Sequence, residues 1–278
     1  TNVTLTYPEA DLELPLAEAF QPQAGTAATT ALQWTGLVPH GQQIWLLQAE
    51  GRSRHTASRA TRYQQAELHA TWLQDPAAKA QWIGRMEYTQ LHWGGRKLYT
   101  SQRLGLQHQW AHAFDSLSCR TAAGLELENR DYPGSRTLDG TYQGGVFTLL
   151  CQKQGSLNLQ FRTGFDQPGS AARVGGRQRH SEARVQWQFK AKGNQWQAEY
   201  TLQHQQDATG YSPLLSRNAA RRISRQALRL ETSRQLVWPA MGDPQWFGSV
   251  ELTHQASNLQ AFVSSRRAVQ TGLRWAWP

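Results

Sequence analysis

The sequence from Gln178 to His204 consists of two arms in which apolar and polar residues alternate strictly. The arms flank Lys192-Gly193-Asn194, a combination typical of a tight turn. A period of two predicts strands with one apolar and one polar face. Each arm is about ten residues long, the length that a tilted strand needs to cross a bilayer. The segment therefore predicts one hairpin of a transmembrane β-barrel.

The same alternation recurs along the chain. It predicts thirteen strands, at about 29–38, 43–51, 62–74, 80–92, 97–111, 116–130, 140–153, 156–166, the two arms of the hairpin, 223–238, 246–256 and 267–277. We therefore expect an all-β fold: a transmembrane antiparallel up-and-down β-barrel that occupies residues 1–278 as a single domain. Bacterial single-chain barrels have an even number of strands, so we expect about fourteen. The first strand would lie within residues 1–28 or be missing upstream, and 1–28 would otherwise form an outer loop.

The amino-acid composition favours a membrane barrel over a soluble β-domain with a buried apolar core. Only 18% of the residues are charged, and apolar residues are spread evenly, with no run approaching the roughly 18 residues of a membrane helix. Most of the twelve Trp lie near predicted strand ends, as in the aromatic girdles of membrane barrels. The alternative is a soluble sandwich or propeller with buried Trp. Strands of soluble proteins average about five or six residues, roughly half the length predicted here.

Acidic and basic residues occur in nearly equal number on the polar side of the predicted strands. We predict that they line the lumen: Glu67, Arg85, Glu87, Arg103, Arg120, Glu126, Arg162, Glu182, Arg184, Glu199, Arg229, Glu231, Glu251 and Arg274. A wide lumen can hold such charges because water and neighbours of opposite sign solvate them. They would form a hydrated pathway, a salt-bridged network that stiffens the barrel, or both. Their balance argues against a simple anion- or cation-selective pore.

The net charge of +9 arises mostly in the predicted outer loops. The basic residues singled out there are Arg52, Arg54, Arg59, Arg217, Arg221 and Arg222. We expect them to contact outer-membrane lipid, in particular lipopolysaccharide phosphates. An acidic cargo is the alternative partner. Nucleic acid is not an expected partner because the sequence contains no known binding module.

Catalytic and metal-binding motifs are not found in the sequence, so we expect no enzyme and no cofactor. Cys119 and Cys151 lie on adjacent predicted strands. They are candidates for a cross-strand disulfide, which the periplasm would permit. Two small lipid-facing residues are the alternative.

Three short segments carry a family resemblance: Gly210-Tyr211-Ser212-Pro213-Leu214-Leu215, then Arg221-Arg222, then Ser257-Asn258-Leu259. They resemble the C-terminal barrels of bacterial tetratricopeptide-repeat outer-membrane proteins, the group that includes the surface lipoprotein assembly modifiers. Thr1-Asn2-Val3-Thr4-Leu5 fits the element that follows the first strand in that family. The chain departs from the pattern at Arg274-Trp275-Ala276-Trp277-Pro278, which lacks the terminal Phe common in such barrels.

The resemblance implies the outer membrane of a Gram-negative bacterium, periplasmic helical repeats upstream, and a role in secretion. The expected function is a translocation channel that exports, or assists surface display of, a secreted protein or lipoprotein client. Related repeat-and-barrel proteins export polysaccharides instead. A polysaccharide pore should have aromatic residues and one sign of charge along its lumen, whereas the predicted inner face is mixed in charge and poor in aromatics. We therefore favour a protein client. A plugged structural or adhesive surface barrel is the remaining alternative.

Overall fold

The computed structural model of the chain describes residues 27–56, 62–114, 117–212, 217–236 and 244–274. These residues form thirteen strands: β1 (Ala27–His40), β2 (Gln43–Thr56), β3 (Tyr63–Leu73), β4 (Ala80–Trp93), β5 (Arg96–Phe114), β6 (Leu117–Asp131), β7 (Gly140–Gln152), β8 (Gly155–Pro168), β9 (Gln178–Ala191), β10 (Asn194–Asp207), β11 (Arg222–Gln235), β12 (Gln245–Ser257) and β13 (Ser264–Arg274). Two short 3₁₀ helices, Arg136–Leu138 and Gln260–Phe262, lie between strands.

The strands form a single antiparallel up-and-down sheet in which each strand pairs with its neighbours in the sequence. The predicted all-β fold is confirmed. Within the described residues the sheet is not closed, because β1 and β13 are not paired with each other. In an up-and-down sheet of thirteen strands the first and last run in the same direction. An antiparallel closure therefore needs one more strand, and residues 1–26, where we expect it, lie outside the described part of the chain.

The two ends of the sheet differ in their connections. We call the end at which β1 joins β2 the turn end, and the end at which β2 joins β3 the loop end. Two-residue turns at 41–42, 153–154 and 192–193 lie at the turn end, and the connections 132–139, 169–177 and 208–221 lie at the loop end. The loop end also contains a two-residue turn, Gly94-Gly95. Both glycines have positive φ angles, 58° and 79°, as a tight hairpin of this kind requires.

The hydrogen-bond register divides the sheet into two chemically distinct faces. We call the side that carries Glu67, Arg103, Glu126 and Glu199 the polar face, and the side that carries Leu104, Leu125 and Trp187 the apolar face. In the hairpin of β9 and β10 the pairing runs without interruption from Asn194 opposite Ala191 to Asp207 opposite Gln178. A slip of one residue would exchange the two faces, so the alternating sequence fixes this register.

The apolar face is exposed over most of its area. Leu125 is 73% exposed and Leu104 is 53% exposed, although both lie in the middle of the sheet. Among the described residues, seven tryptophans lie on this face within a few residues of the turn end: Trp45, Trp72, Trp82, Trp110, Trp187, Trp196 and Trp246. They form one aromatic band. Trp93, which we expected in a girdle, instead stacks on the buried Tyr63 at the loop end, with ring centroids 6.1 Å apart.

No helix in the described ranges is long and apolar enough to cross a bilayer.

Candidate functional site

The register brings the residues predicted to line the lumen onto one side of the sheet. The polar face carries Glu67, Arg85, Glu87, Arg103, Arg120, Glu126, Arg162, Glu182, Arg184, Glu199, Arg229, Glu231 and Glu251. Arg274 is the last residue of β13, and its side chain lies outside the described part. That this face encloses a lumen stays a prediction, because the described strands do not close on themselves.

One network of ion pairs crosses β4 to β8. Arg103 on β5 bridges Glu87 on β4, at 3.1 Å, and Glu128 on β6, at 2.8 Å. Arg162 on β8 reaches over β7 to Glu126 and Glu128, the second at 3.5 Å. On β7, a methyl group at Gly144 would collide with the hydroxyl of Tyr142, whose ring lies beneath the Arg162 guanidinium. Four strands are thereby connected through side chains on the same face.

A second group of pairs lies on β9 to β11. Arg184 donates to Glu199 at 2.9 Å, and Arg229 donates to Glu231 at 2.8 Å. Glu182 accepts a hydrogen bond from Gln203 at 3.0 Å. These groups are partly exposed, and pairs of that kind contribute only about 0–1 kcal/mol each. Their main effect is to neutralise one another on a face that remains wet.

Three of the predicted charges differ from the rest. Within the described residues, Arg85, Arg120 and Glu251 form neither an ion pair nor a side-chain hydrogen bond. Glu182 also forms no ion pair, but it accepts the hydrogen bond from Gln203. Most charged side chains of the polar face therefore contact one another, and a few remain available to solvent or to a ligand.

At the loop end, two buried carboxylates form ion pairs with three arginines, which the sequence did not predict. Asp166 is fully buried between Arg130 and Arg173, each at 2.5 Å. Arg221 holds Asp207 with two contacts, Nη2 to Oδ1 at 3.1 Å and Nε to Oδ2 at 3.2 Å. The partners lie on different strands or in loops, so the alternation along a single strand does not indicate them.

Aromatic side chains fill the same end. Tyr63, Leu91, Tyr99 and Tyr132 pack into one buried cluster. Tyr142 lies on the polar face beneath the guanidinium of Arg162, which is 4.5 Å from the ring centroid. The expectation that the inner face is poor in aromatics is therefore wrong near the loop end. Tyr63, Tyr99 and Tyr142 are each an even number of positions from polar-face residues of the same strand. This spacing could have predicted that they lie on the polar face.

The residues that carry the family resemblance come together around Arg221. Its guanidinium lies 4.6 Å from the ring centroid of Tyr211 and 5.0 Å from that of Phe262. Asn258 joins the same assembly: its amide oxygen accepts from the Arg222 backbone N–H at 2.7 Å, and its amide nitrogen donates to the Ala220 carbonyl at 2.9 Å. Residues 213–216 of the motif lie outside the described ranges. We call Asp207, Tyr211, Arg221 and Phe262 the arginine clasp.

The basic residues expected in outer loops occupy several different environments. Arg52 and Arg54 lie on the polar face of β2, because the strand continues to Thr56; Arg54 is only 5% exposed and Arg52 pairs with Glu50. Arg221 is buried in the clasp. Arg217 is exposed in the 208–221 connection, and Arg222 is exposed as the first residue of β11. Arg59 lies outside the described residues.

Cys119 and Cys151 lie directly opposite each other on β6 and β7, with Cα atoms 4.1 Å apart, and form a disulfide. The bond is on the apolar face near the turn end. Of the two alternatives for these cysteines, the structure contains the cross-strand bond.

The part of the chain that the structure describes contains no group of His, Cys, Asp and Glu side chains that could hold a metal ion. In comparisons with known proteins, no family model and no curated sequence matches this chain. The resemblance to tetratricopeptide-repeat outer-membrane proteins therefore remains a prediction based on the short segments quoted above.

Proposed function

We propose that the chain is a bacterial outer-membrane β-barrel, closed by a fourteenth strand, that exports or assists surface display of a protein or lipoprotein client. The observation that carries this proposal is the division of one sheet into a mutually neutralised polar face and an exposed apolar face. In water, an apolar area of this extent would promote association. In a bilayer, hydrocarbon covers it, and the Trp band near the turn end lies at the headgroup level.

The polar face supports a conduit of mixed charge. Alternating Glu and Arg side chains attract neither ion type strongly, and they offer hydrogen bonds along the whole wall. A folded or extended polypeptide has both signs of charge and many backbone groups, which such a wall can contact in turn. Export is the expected direction because the family that the chain resembles moves clients to the cell surface.

Conductance of the purified chain in planar bilayers tests the conduit. We expect the double substitution Glu182→Gln and Glu199→Gln to change single-channel conductance, because it removes two carboxylates, including the one that Arg184 contacts at 2.9 Å. Asp131→Asn is the matched control, since Asp131 lies on β6 on the opposite face to Glu126 and Glu128. Equal conductance in the double variant and the wild type, with measurable channels in both, would contradict a lumen at this position.

A plugged structural or adhesive barrel is a second candidate, and the buried loop end favours it. The arginine clasp and the tyrosine cluster occupy the polar face where an open channel would have its mouth. Absence of any channel current from correctly folded protein, together with binding to cells or matrix, would favour this candidate. The tyrosines on the polar face also keep polysaccharide export as an alternative, because sugar rings stack on aromatic side chains. Transport of a labelled oligosaccharide into vesicles would distinguish it.

A further inference from the structure

The apolar face has an unequal distribution of charge. On β8 to β13, the described side chains of this face include no Asp and no Glu. Arginines are nevertheless present near its loop end, at Arg179 on β9, Arg222 on β11 and Arg267 on β13. Exposed arginines that have no carboxylate partner and lie at the edge of an apolar face are suited to bind an anion from outside the protein.

Two of these arginines lie close together. Gln206 on β10 pairs with Arg179 on one side and with Arg222 on the other. Two strand spacings separate the two Cα atoms, which is about 10 Å. Arg177 extends the group, since its guanidinium lies 4.9 Å from the ring centroid of Phe165, and Phe165 pairs with Arg179. We call Arg177, Arg179 and Arg222 the arginine strip.

All three side chains of the strip are exposed. Within the described residues none of them forms an ion pair. This separates the strip from Arg173 and Arg221, which are buried in ion pairs with Asp166 and Asp207 at the same end of the sheet.

Polarity falls steadily from the strip towards the middle of the apolar face. The next row contains Ser181, His204 and Ser224. The row after it contains Phe161, Ala183 and Leu202 on β8 to β10, and Gln226 on β11. On β8 to β10 the face therefore presents first charge, then hydroxyl and imidazole groups, and then hydrocarbon. An amphiphile with an anionic head, a polar middle and acyl chains has its groups in the same order.

We propose that the arginine strip binds the phosphate groups of a phosphorylated glycolipid of the lipid A type, with an acyl chain against Leu202 and Phe161. Guanidinium suits this ligand because it donates in a fixed fork to phosphate oxygens. The position selects a lipid over a soluble anion, since the strip lies on the exposed apolar face and not on the polar face. The proposal rests on the membrane location given under the proposed function.

Lipid binding to the full chain in detergent micelles tests the site. Native mass spectrometry would titrate bisphosphorylated lipid A against the wild type, against Arg179→Gln with Arg222→Gln, and against Arg234→Gln. Arg234 is the matched control because it is an exposed arginine of the apolar face on β11 near the turn end. We expect roughly a 30-fold loss of affinity for the double variant, about fivefold per arginine, and no loss for the control. Lipid A stripped of its phosphates should bind the wild type about as weakly as the intact lipid binds the double variant.

Two results would overturn the proposal. One is equal binding of intact lipid A to the wild type and the double variant. The other is full competition by millimolar inorganic phosphate, which would show a site for the free anion. Gel mobility that shifts on heating reports the folded barrel in every sample. A variant that is folded but has lost lipid binding has therefore lost it through the change in the strip and not through misfolding. A wild-type chain that stays folded and monomeric without detergent would instead contradict the proposed function.

Discussion

We expect substitutions in the arginine clasp to lower the free energy of unfolding more than substitutions of the other charged residues at the loop end. Arg221 is 1% exposed and makes two contacts with Asp207, at 3.1 and 3.2 Å. Its guanidinium also lies against two aromatic rings that contact each other edge to face. Replacing Arg221 by Ala leaves the carboxylate of Asp207 buried without its main partner. Breaking a buried pair from one side costs about 3–5 kcal/mol, and the lost contacts with the rings add about 1 kcal/mol.

Urea unfolding in lipid vesicles, followed by gel mobility and tryptophan fluorescence, measures this loss. We expect Arg221→Ala to lower the free energy of unfolding by about 4–6 kcal/mol. Arg229→Ala is the matched control, because the pair of Arg229 with Glu231 on the same strand is more exposed. The control should lose no more than about 1 kcal/mol.

A double-mutant cycle separates the ion pair from the packing. Asp207→Ala combined with Arg221→Ala should cost less than the sum of the two single changes, by about 1–3 kcal/mol, since neither charge is then left alone. The reasoning would be refuted if both single variants lost less than 1 kcal/mol or if their losses were additive. Either result would mean that water, and not the partner, solvates Asp207.

Two further predictions concern the turn end. Cys119→Ser with Cys151→Ser should lower the free energy of unfolding by about 2–4 kcal/mol in urea titrations, since the bond joins residues 32 apart; reductant should produce the same loss in the wild type and none in the variant. Gly193→Ala should cost about 1–2 kcal/mol in the same assay, because Gly193 has a φ of +77°. Gly51→Ala, where a methyl group meets no atom within 4 Å and φ is not positive, should cost less, and equal losses at both sites would contradict this explanation.

The strands were predictable from the sequence because their period and length are local properties. All thirteen appear in order, and the arms around Gly193 are paired residue by residue. β2 was predicted too short: its Arg52 and Arg54 suggested a loop, yet they point to a polar face where Glu50 can neutralise Arg52. A cluster of arginines does not end a strand when one face of the sheet is itself charged.

For the charged residues of the site, the sequence predicted which face of the sheet they lie on but not which residues they contact. Assigning Glu and Arg to one face requires nothing more than the alternation along each strand. The pairs of Asp166 with Arg173 and of Asp207 with Arg221 depend on how the loops 169–177 and 208–221 fold back, which alternation does not encode. The tyrosine cluster at the loop end could not be predicted in full for the same reason, because Tyr132 lies beyond the end of β6 and the alternation does not place it.

The proposed membrane location requires that lipid covers the apolar face, and an arginine scan of β6 in vesicles tests this most directly. Leu125 and Asn129 are both exposed and both lie on the apolar face, Leu125 in the middle of the sheet and Asn129 near the loop end. We predict that Leu125→Arg lowers the free energy of unfolding by about 2–4 kcal/mol and Asn129→Arg by about 0–1 kcal/mol. If both changes stay within about 0.5 kcal/mol, as for ordinary surface residues in water, the apolar face does not meet hydrocarbon.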